Sequence, residues 1–324
     1  MNLSSPALRP APAAEKFSDP AYTADGARRA HVALERLDTL WFNTGTLCNI
    51  ECANCYIKSS PRNDALVYLR AGEVAVFLDE IEARNLPTKE IGFTGGEPFM
   101  NPDMTAILED VLQRGFEALV LTNAMRPMMR PKVREALLQL RQRYGDRLHL
   151  RISLDHYSAE LHDRERGERN WSEVVAGVDW LAQNGFRIDI AGRTMWEETE
   201  AQLRERFGAL FAERGWPIDP GDPSRLVLFP EMQEEADTPE ITEACWDILG
   251  KRPQDIMCAT SRMVVKRKGA KRPVVLSCTL LAYDERFEMG ESLAEAEAFG
   301  PVSLNHPHCS KFCVLGGGSC SRAD

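Results

Sequence analysis

Cys48, Cys52 and Cys55 lie within eight residues at the spacing C-x3-C-x2-C, and Tyr56 comes directly after the third cysteine. Three thiolates on one tight loop can hold three irons of a 4Fe–4S cluster, whose usual complement is four cysteines. The fourth iron is then open to a ligand that is not protein. A metal site with an open position is a site for chemistry, as catalytic zinc differs from structural zinc. Cysteines at C-x2-C spacing also serve as zinc ligands or redox-active thiols, so the meaning of the loop depends on the residues downstream of it.

About 40 residues downstream comes Thr94-Gly95-Gly96-Glu97-Pro98, directly after a short apolar strand over 91–93. Paired glycines permit positive φ and close backbone approach to a ligand. Backbone carbonyls and Glu97 can accept hydrogen bonds from an ammonium group, although a bare Gly-Gly also makes a plain turn. The cysteine spacing with its trailing aromatic, together with GGEP at a strand end, resembles the signature of the radical S-adenosylmethionine (SAM) enzymes.

That resemblance implies a 4Fe–4S cluster on Cys48, Cys52 and Cys55, with its open iron chelated by the amino and carboxylate groups of SAM. Reductive cleavage of SAM would give a 5'-deoxyadenosyl radical that takes hydrogen from a substrate. Tyr56 would border the cofactor, and Gly95, Gly96, Glu97 and Pro98 would bind the SAM amino group. Thr122 and Asn123 would contact its ribose or methionine part, or simply form an Asx turn. Ser153-Leu154-Asp155 with His162-Asp163-Arg164-Glu165-Arg166-Gly167 looks like a stretch found in family members with C-terminal cluster domains. By that likeness Ser153 contacts SAM, and Arg166 or Arg169 pairs with its carboxylate through a guanidinium fork. Asp155 is a ligand contact or a structural carboxylate, and His162 a capping or packing histidine. Gly192 would let the adenine approach, and Arg193 would point into the barrel mouth or lie on the surface.

A second set of cysteines lies near the other end. Cys258 and Cys278 flank runs over 263–265 and 273–277 joined by Lys268-Gly269-Ala270, a β-hairpin pattern. Cys309, Cys313 and Cys320 come after it. The layout resembles the twitch and SPASM extensions of radical SAM enzymes. Five cysteines imply one auxiliary 4Fe–4S cluster, with the choice among Cys309, Cys313 and Cys320 open. Zinc on the same thiolates is the alternative. Cys245, beside Trp246, reads as a core thiol. The competing reading of the whole chain is a non-catalytic iron–sulfur or zinc redox scaffold, which has no need of the Gly95–Pro98 motif.

Alternating elements must position these residues. Thr39 to Asn43 reads as a buried strand ending just before the cysteine loop. Val74, Phe77, Leu78 and Ile81, and then Met104, Ile107, Leu108, Val111 and Leu112, are helical stripes. Asn101-Pro102-Asp103 reads as the cap of the second. Val133, Leu137, Leu140 and Tyr144 form the next stripe, with later ones at Val174 and Leu203. Six strands alternating with helices predict a parallel sheet with right-handed crossovers. The expected fold is α/β, a partial (β/α)6 TIM-like barrel with a small hairpin-containing iron–sulfur module. Function should gather at the strand carboxyl ends. Residues 1–37 are expected as a flexible tail with a short charged helix over 27–37, residues 38–230 as the barrel, and 231–324 as an acidic connector and the auxiliary module.

The chain has 324 residues, 44% hydrophobic and 27% charged, with net charge −10. No basic surplus exists for a nucleic-acid backbone, and the arginines over 134–147 read as a solvated helix face. No apolar run reaches the roughly 18 residues a membrane span needs, and no secretory signal is evident, so a cytoplasmic location is expected. In a reducing compartment the nine cysteines are metal ligands rather than disulfides. The implied partners are a small-molecule or peptide substrate and an electron donor such as flavodoxin or ferredoxin. Residues 1–37 are too short for a peptide-recognition domain, which tilts the expectation toward a small molecule or a peptide delivered by another protein.

Overall fold

The computed structural model describes residues 15–230 and 237–317. A two-residue strand, β1 (His31–Val32), precedes the first core strand, β2 (Thr39–Asn43). Then come α1 (Ala71–Ala83), β3 (Glu90–Thr94), α2 (Met104–Gln113), β4 (Glu117–Thr122), α3 (Pro131–Tyr144) and β5 (Leu148–Ser153). After these lie α4 (Ala159–Arg166), α5 (Asn170–Gln183), β6 (Arg187–Arg193), α6 (Glu200–Arg214) and β7 (Leu226–Phe229). Strands β2 to β7 pair in parallel in chain order. Parallel neighbours require crossover connections, which the helices supply.

Burial on both faces explains the continuous apolar strands. Every residue of β2 and β3 is buried. Phe42 stacks on Phe93 at 5.9 Å and meets Phe77 of α1 edge-on at 6.0 Å. Helix α1 buries Val74, Phe77, Leu78 and Ile81, and α2 buries its whole stripe from Met104 to Leu112. Gly92 is a glycine because a Cβ there would lie 2.4 Å from the Trp41 ring. The cap of α2 differs from expectation. Asp103 occupies the cap position without a side-chain cap bond. Its Oδ2 accepts from Ala71 N at 3.2 Å instead, tying the starts of α1 and α2 together. Helix α4 was not anticipated, because its eight residues bury only His162 and Glu165 and leave little apolar period to read.

The last third of the chain contributes α7 (Cys245–Leu249), β8 (Ser261–Val265), β9 (Val274–Leu276), α8 (Leu293–Ala298) and β10 (Val302–Ser303). The expected hairpin forms, with β8 and β9 antiparallel. It does not stand apart as a separate module. Strand β8 lies parallel to β2, with Thr39 opposite Ser261 and Phe42 opposite Val264. The sheet order is therefore β7-β6-β5-β4-β3-β2-β8-β9.

Residues 15–37 correct the expectation of a tail, and no helix forms over 27–37. Strand β1 pairs with β10. Arg29 is buried, and its Nη2 lies 2.6 Å from Glu240 Oε1. Glu240 also accepts from Phe17 N and Ala24 N. A buried guanidinium is tolerated only when paired and hydrogen-bonded, so this pair pins the N-terminal segment to the stretch before α7. Residues 1–14, and 231–236 of the expected connector, lie outside the described residues. Among the described residues, no helix is long and apolar enough to cross a membrane.

Candidate active site and second cysteine set

The loop after β2 carries Cys48, Cys52 and Cys55 to the carboxyl end of the sheet, where they border a cavity of about 640 Å³. Tyr56, Gly95, Gly96, Thr122, Asn123, Ser153, Arg166 and Arg193 line the same cavity. The structure thus gathers residues from five strand ends that are far apart in sequence. Burial pushes the Cys48 thiol up to about 12 and raises Cys52 as well. Thiolates here need a positive partner, which a metal supplies. Asn123 Nδ2 lies 3.9 Å from Cys48 Sγ and donates to Asn49 Oδ1 at 2.9 Å. Ser59 N donates to Cys55 Sγ at 3.4 Å.

The two glycines have a reason beyond ligand access. Gly95 has φ +134, and a Cβ there would meet Gly45 O at 2.5 Å. At Gly96 a Cβ would meet Leu47 O at 2.2 Å. Gly96 N donates to Gly45 O at 2.8 Å, and Glu97 N to Leu47 O at 3.2 Å. The glycine turn therefore clasps the backbone that leads into Cys48, fixing one motif against the other. A similar account holds at Gly192, where a Cβ would meet Leu228 and Phe207. Its bareness serves helix packing, while its backbone still borders the cavity.

Glu97 and Pro98 do not line the cavity, and both are buried. Glu97 Oε1 accepts from Thr122 Oγ1 at 2.8 Å and Phe99 N at 3.1 Å, and Oε2 from Asn123 N at 2.9 Å. Its carboxylate thus joins the β3 and β4 ends. Burial raises it to about 7 against the pull of these three donors.

Arg166, from the last turn of α4, donates from Nε and Nη2 to Asp155 at 2.7 and 2.9 Å. Burial works to raise Asp155, but the Arg166 guanidinium outweighs it and holds the carboxyl below its ordinary value. Two-point pairing fixes the planar fork. Arg193, at the end of β6, donates to Asn54 O at 2.8 Å and approaches Glu165 and Asp155. Glu165 accepts from Asn54 N at 2.9 Å and Asn54 Nδ2 at 2.7 Å. Its own carbonyl accepts from Ala53 N. The cysteine loop is therefore hung from α4 and β6. Sequence reasoning missed Glu165, though it sits next to Arg166. His162 is a packing residue, edge-on to Trp171 at 5.6 Å and lowered to about 4 by burial and then by Arg166. Arg169 adopts φ +69 as the residue before α5, with its backbone N–H on Asp163.

Cys258, Cys278, Cys309 and Cys313 border a second, smaller cavity with Met257, Phe287 and Leu304. Cys320 lies outside the described residues. Cys309 and Cys313 ride on a π-helical stretch, Cys309–Leu315, a rare conformation that marks functional sites. Burial pushes Cys258 up to about 11 and Cys309 well above its ordinary value. Cys245 is half-buried at the start of α7, and Thr242 N approaches its sulfur at 3.4 Å. Leu280 and His308 line both cavities, and Phe312 stacks on Phe229 at 5.6 Å. Nothing in the sequence indicated this shared wall, because it forms between distant segments.

Among the described residues, no three His, Cys, Asp or Glu side chains converge as for a single ion; the thiols border cavities. Soft thiolate donors select iron–sulfur clusters, zinc or copper(I). Three cysteines beside the larger cavity, and four around the smaller, fit an open and a complete cluster ligand set respectively.

The sequence profile of the radical SAM superfamily matches residues 42–204, about half of the chain. The chain belongs to the radical SAM superfamily. Members of this superfamily work with a 4Fe–4S cluster and SAM. The antilisterial bacteriocin subtilosin biosynthesis protein AlbA of Bacillus subtilis (strain 168) is 30% identical over 194 residues, covering 58% of this chain and 41% of AlbA. Mycofactocin maturase MftC of Mycobacterium ulcerans (strain Agy99) is 28% identical over 139 residues, covering 43% of this chain and 35% of MftC. The chain thus spans less than half the length of these curated relatives. Streptococcus suis SuiB bound to S-adenosylmethionine superposes with a TM-score of 0.57 at 13% identity, covering 79% of this chain and 63% of SuiB. SuiB bound to its precursor peptide SuiA gives 0.54 at 12% identity, covering 90% of this chain and 69% of SuiB. These superpositions establish the radical SAM partial-barrel fold.

Proposed function

We propose that this chain is a radical SAM enzyme that modifies a peptide, with an auxiliary 4Fe–4S cluster assisting. The observation that carries the reading is the convergence of the Cys48/Cys52/Cys55 loop, the Gly95-Gly96 turn and the ends of β4, β5 and β6 on one cavity. When bound, the cluster and SAM supply a 5'-deoxyadenosyl radical able to take hydrogen from an unactivated position. The chain's own residues then have separable tasks. Gly95 and Gly96 offer backbone to the cofactor's amino end. Thr122, Asn123 and Ser153 border its ribose and methionine parts. Arg166, its Nε and Nη2 fixed by Asp155, keeps Nη1 for the carboxylate. Glu165 and Arg193 hold the cysteine loop in register. Cys258, Cys278, Cys309 and Cys313 form the auxiliary ligand set.

A peptide substrate is favoured over a free small molecule by the names of the matched relatives, a bacteriocin-biosynthesis protein and a maturase. The precursor peptide bound to the similarly folded SuiB points the same way. A flavodoxin- or ferredoxin-type donor would supply the electron. The scaffold alternative is not favoured, since a scaffold needs no cavity joining the cysteines to a glycine turn. Anaerobic reconstitution tests the reading. The expected result is about eight irons per chain, two clusters of four, with 5'-deoxyadenosine formed from SAM and dithionite. Cys52→Ala should abolish that product. Iron loading without SAM cleavage in the unaltered protein would overturn it.

A further inference from the structure

Arg262 lies in β8 with only 2% of its surface exposed. Its Nη1 donates to the carbonyls of Cys258 and Ser261, at 2.5 and 2.8 Å. Its Nε is buried with no hydrogen-bond partner among the described residues. Among those residues no carboxylate pairs with it, unlike the similarly buried Arg29 and Arg151, which face Glu240 and Asp189. Its hydrogen bond to the Cys258 carbonyl holds the guanidinium beside the second cysteine set. Another cation near this set, Arg286, is half-exposed and already paired with Asp284. A buried charge without a partner is one of the most unfavourable features a fold can carry. Two carbonyl acceptors do not neutralise it; negative charge on the neighbouring cysteine set, as metal-bound thiolates carry, would.

We propose that Arg262 is the built-in counter-charge of a thiolate-bound iron–sulfur cluster at Cys258, Cys278, Cys309 and Cys313, and that it raises that cluster's reduction potential. The inference rests on the auxiliary-cluster reading above and adds a role that reading does not contain. Reduction adds an electron to an already anionic assembly, so a fixed cation nearby favours the reduced state, and net charge and burial are among the levers that set such potentials. At the first site the comparable arginine, Arg166, is neutralised by Asp155, so the two sites differ in the charge facing their sulfurs. Arg262 is a positioning and tuning residue; nothing places it against substrate.

The test compares the wild-type protein with Arg262→Met and Arg262→Lys, after anaerobic iron loading. Metal content is read first. Wild-type protein holding about four irons, or zinc at the second set, overturns the auxiliary-cluster reading and this proposal with it. With about eight irons per chain, redox titration monitored by electron paramagnetic resonance should show one midpoint displaced to more negative potential in Arg262→Met. That midpoint should recover in Arg262→Lys, and the midpoint of the N-terminal cluster should stay in place. If neither midpoint moves, the proposal fails while the enzyme reading stands. Thermal unfolding gives an independent readout. Metal-free Arg262→Met should be more stable than metal-free wild type, by about 3 °C or more, because an unpaired buried charge has been removed. The stabilisation gained on metal loading should be correspondingly smaller. Loss of second-site iron in Arg262→Met that Arg262→Lys restores supports the assignment. Equal loss in both, or a metal-free Met variant less stable than wild type, overturns it.

Discussion

The two cysteine sets are built on opposite plans. Cys48, Cys52 and Cys55 share one loop, beside a cavity of about 640 Å³ into which Arg166 and Ser153 also face. The loop itself makes little core, and polar anchors from elsewhere hold it: Glu165, Arg193 and the turn at Gly95-Gly96. Cys258, Cys278, Cys309 and Cys313 come from three separate stretches of chain and meet behind apolar walls, with Met257, Phe287 and Leu304 around them. The contrast separates two physical demands. A site that must admit a cofactor is held from outside by hydrogen bonds and ion pairs that leave its face open. A site that must only hold its metal can be enclosed by packing.

The largest expected break in that contrast is Asp155→Ala. It leaves the half-buried Arg166 without its carboxylate, and removing one partner of a buried pair destabilises by at most about 3–5 kcal/mol. Denaturant unfolding should show that loss, with N-terminal iron released while the second set keeps its own. A change under about 1 kcal/mol would mean that Asp155 does not hold the arginine.

A second prediction concerns pH. Glu97 rises in the folded protein to about 7 from an ordinary 4.5. A carboxyl raised on folding contributes stability in full below its unfolded value, and that contribution is lost as pH rises through the folded value. Stability of the metal-free protein should therefore fall between about pH 4.5 and 7, by at most about 1.4 kcal/mol per pH unit from this group. Asp155 acts in the opposite sense, because its lowered pKa makes its contribution present above the ordinary carboxylate range and lost on acidification. Stability curves for wild type and Glu97→Gln isolate the first effect, which should flatten in the variant. A slope that survives the substitution assigns the pH dependence elsewhere.

The smallest of the three is Glu165→Ala. It removes the acceptor for Asn54 N and Nδ2 and should destabilise by about 1–2 kcal/mol. Amide exchange at Asn54 should accelerate about five- to thirtyfold, with the amide of Leu280, beside Cys278, unchanged. Equal acceleration at both would mean that the two sets are not held independently.

These plans also explain what could be read in advance. The order of core strands and helices came from period and burial, as with Val74, Phe77, Leu78 and Ile81. The placement of Cys48, Gly95 and Ser153 at strand ends was legible because each follows a local apolar run, and all three border one cavity. The bonds from Thr122 and Asn123 to Glu97 could not be read in advance, because they join the ends of two different strands. Arg29 and Glu240 overturn the expected tail through a pairing across more than two hundred positions, which no local pattern records. Leu280, His308 and Arg262 were invisible for the same reason, since their significance arises from distant segments meeting.

Strand β8 lies against β2, so the first-made strand of the core waits for residues more than two hundred positions later to cover its edge. Until Ser261–Val265 arrives, a nascent chain exposes a bare row of backbone donors and acceptors beside the future cysteine loop, the kind of edge that invites wrong partners. Completion of the sheet is thus tied to delivery of the hairpin between Cys258 and Cys278, which makes assembly of the barrel and gathering of the second thiol set one late event in the life of the polypeptide.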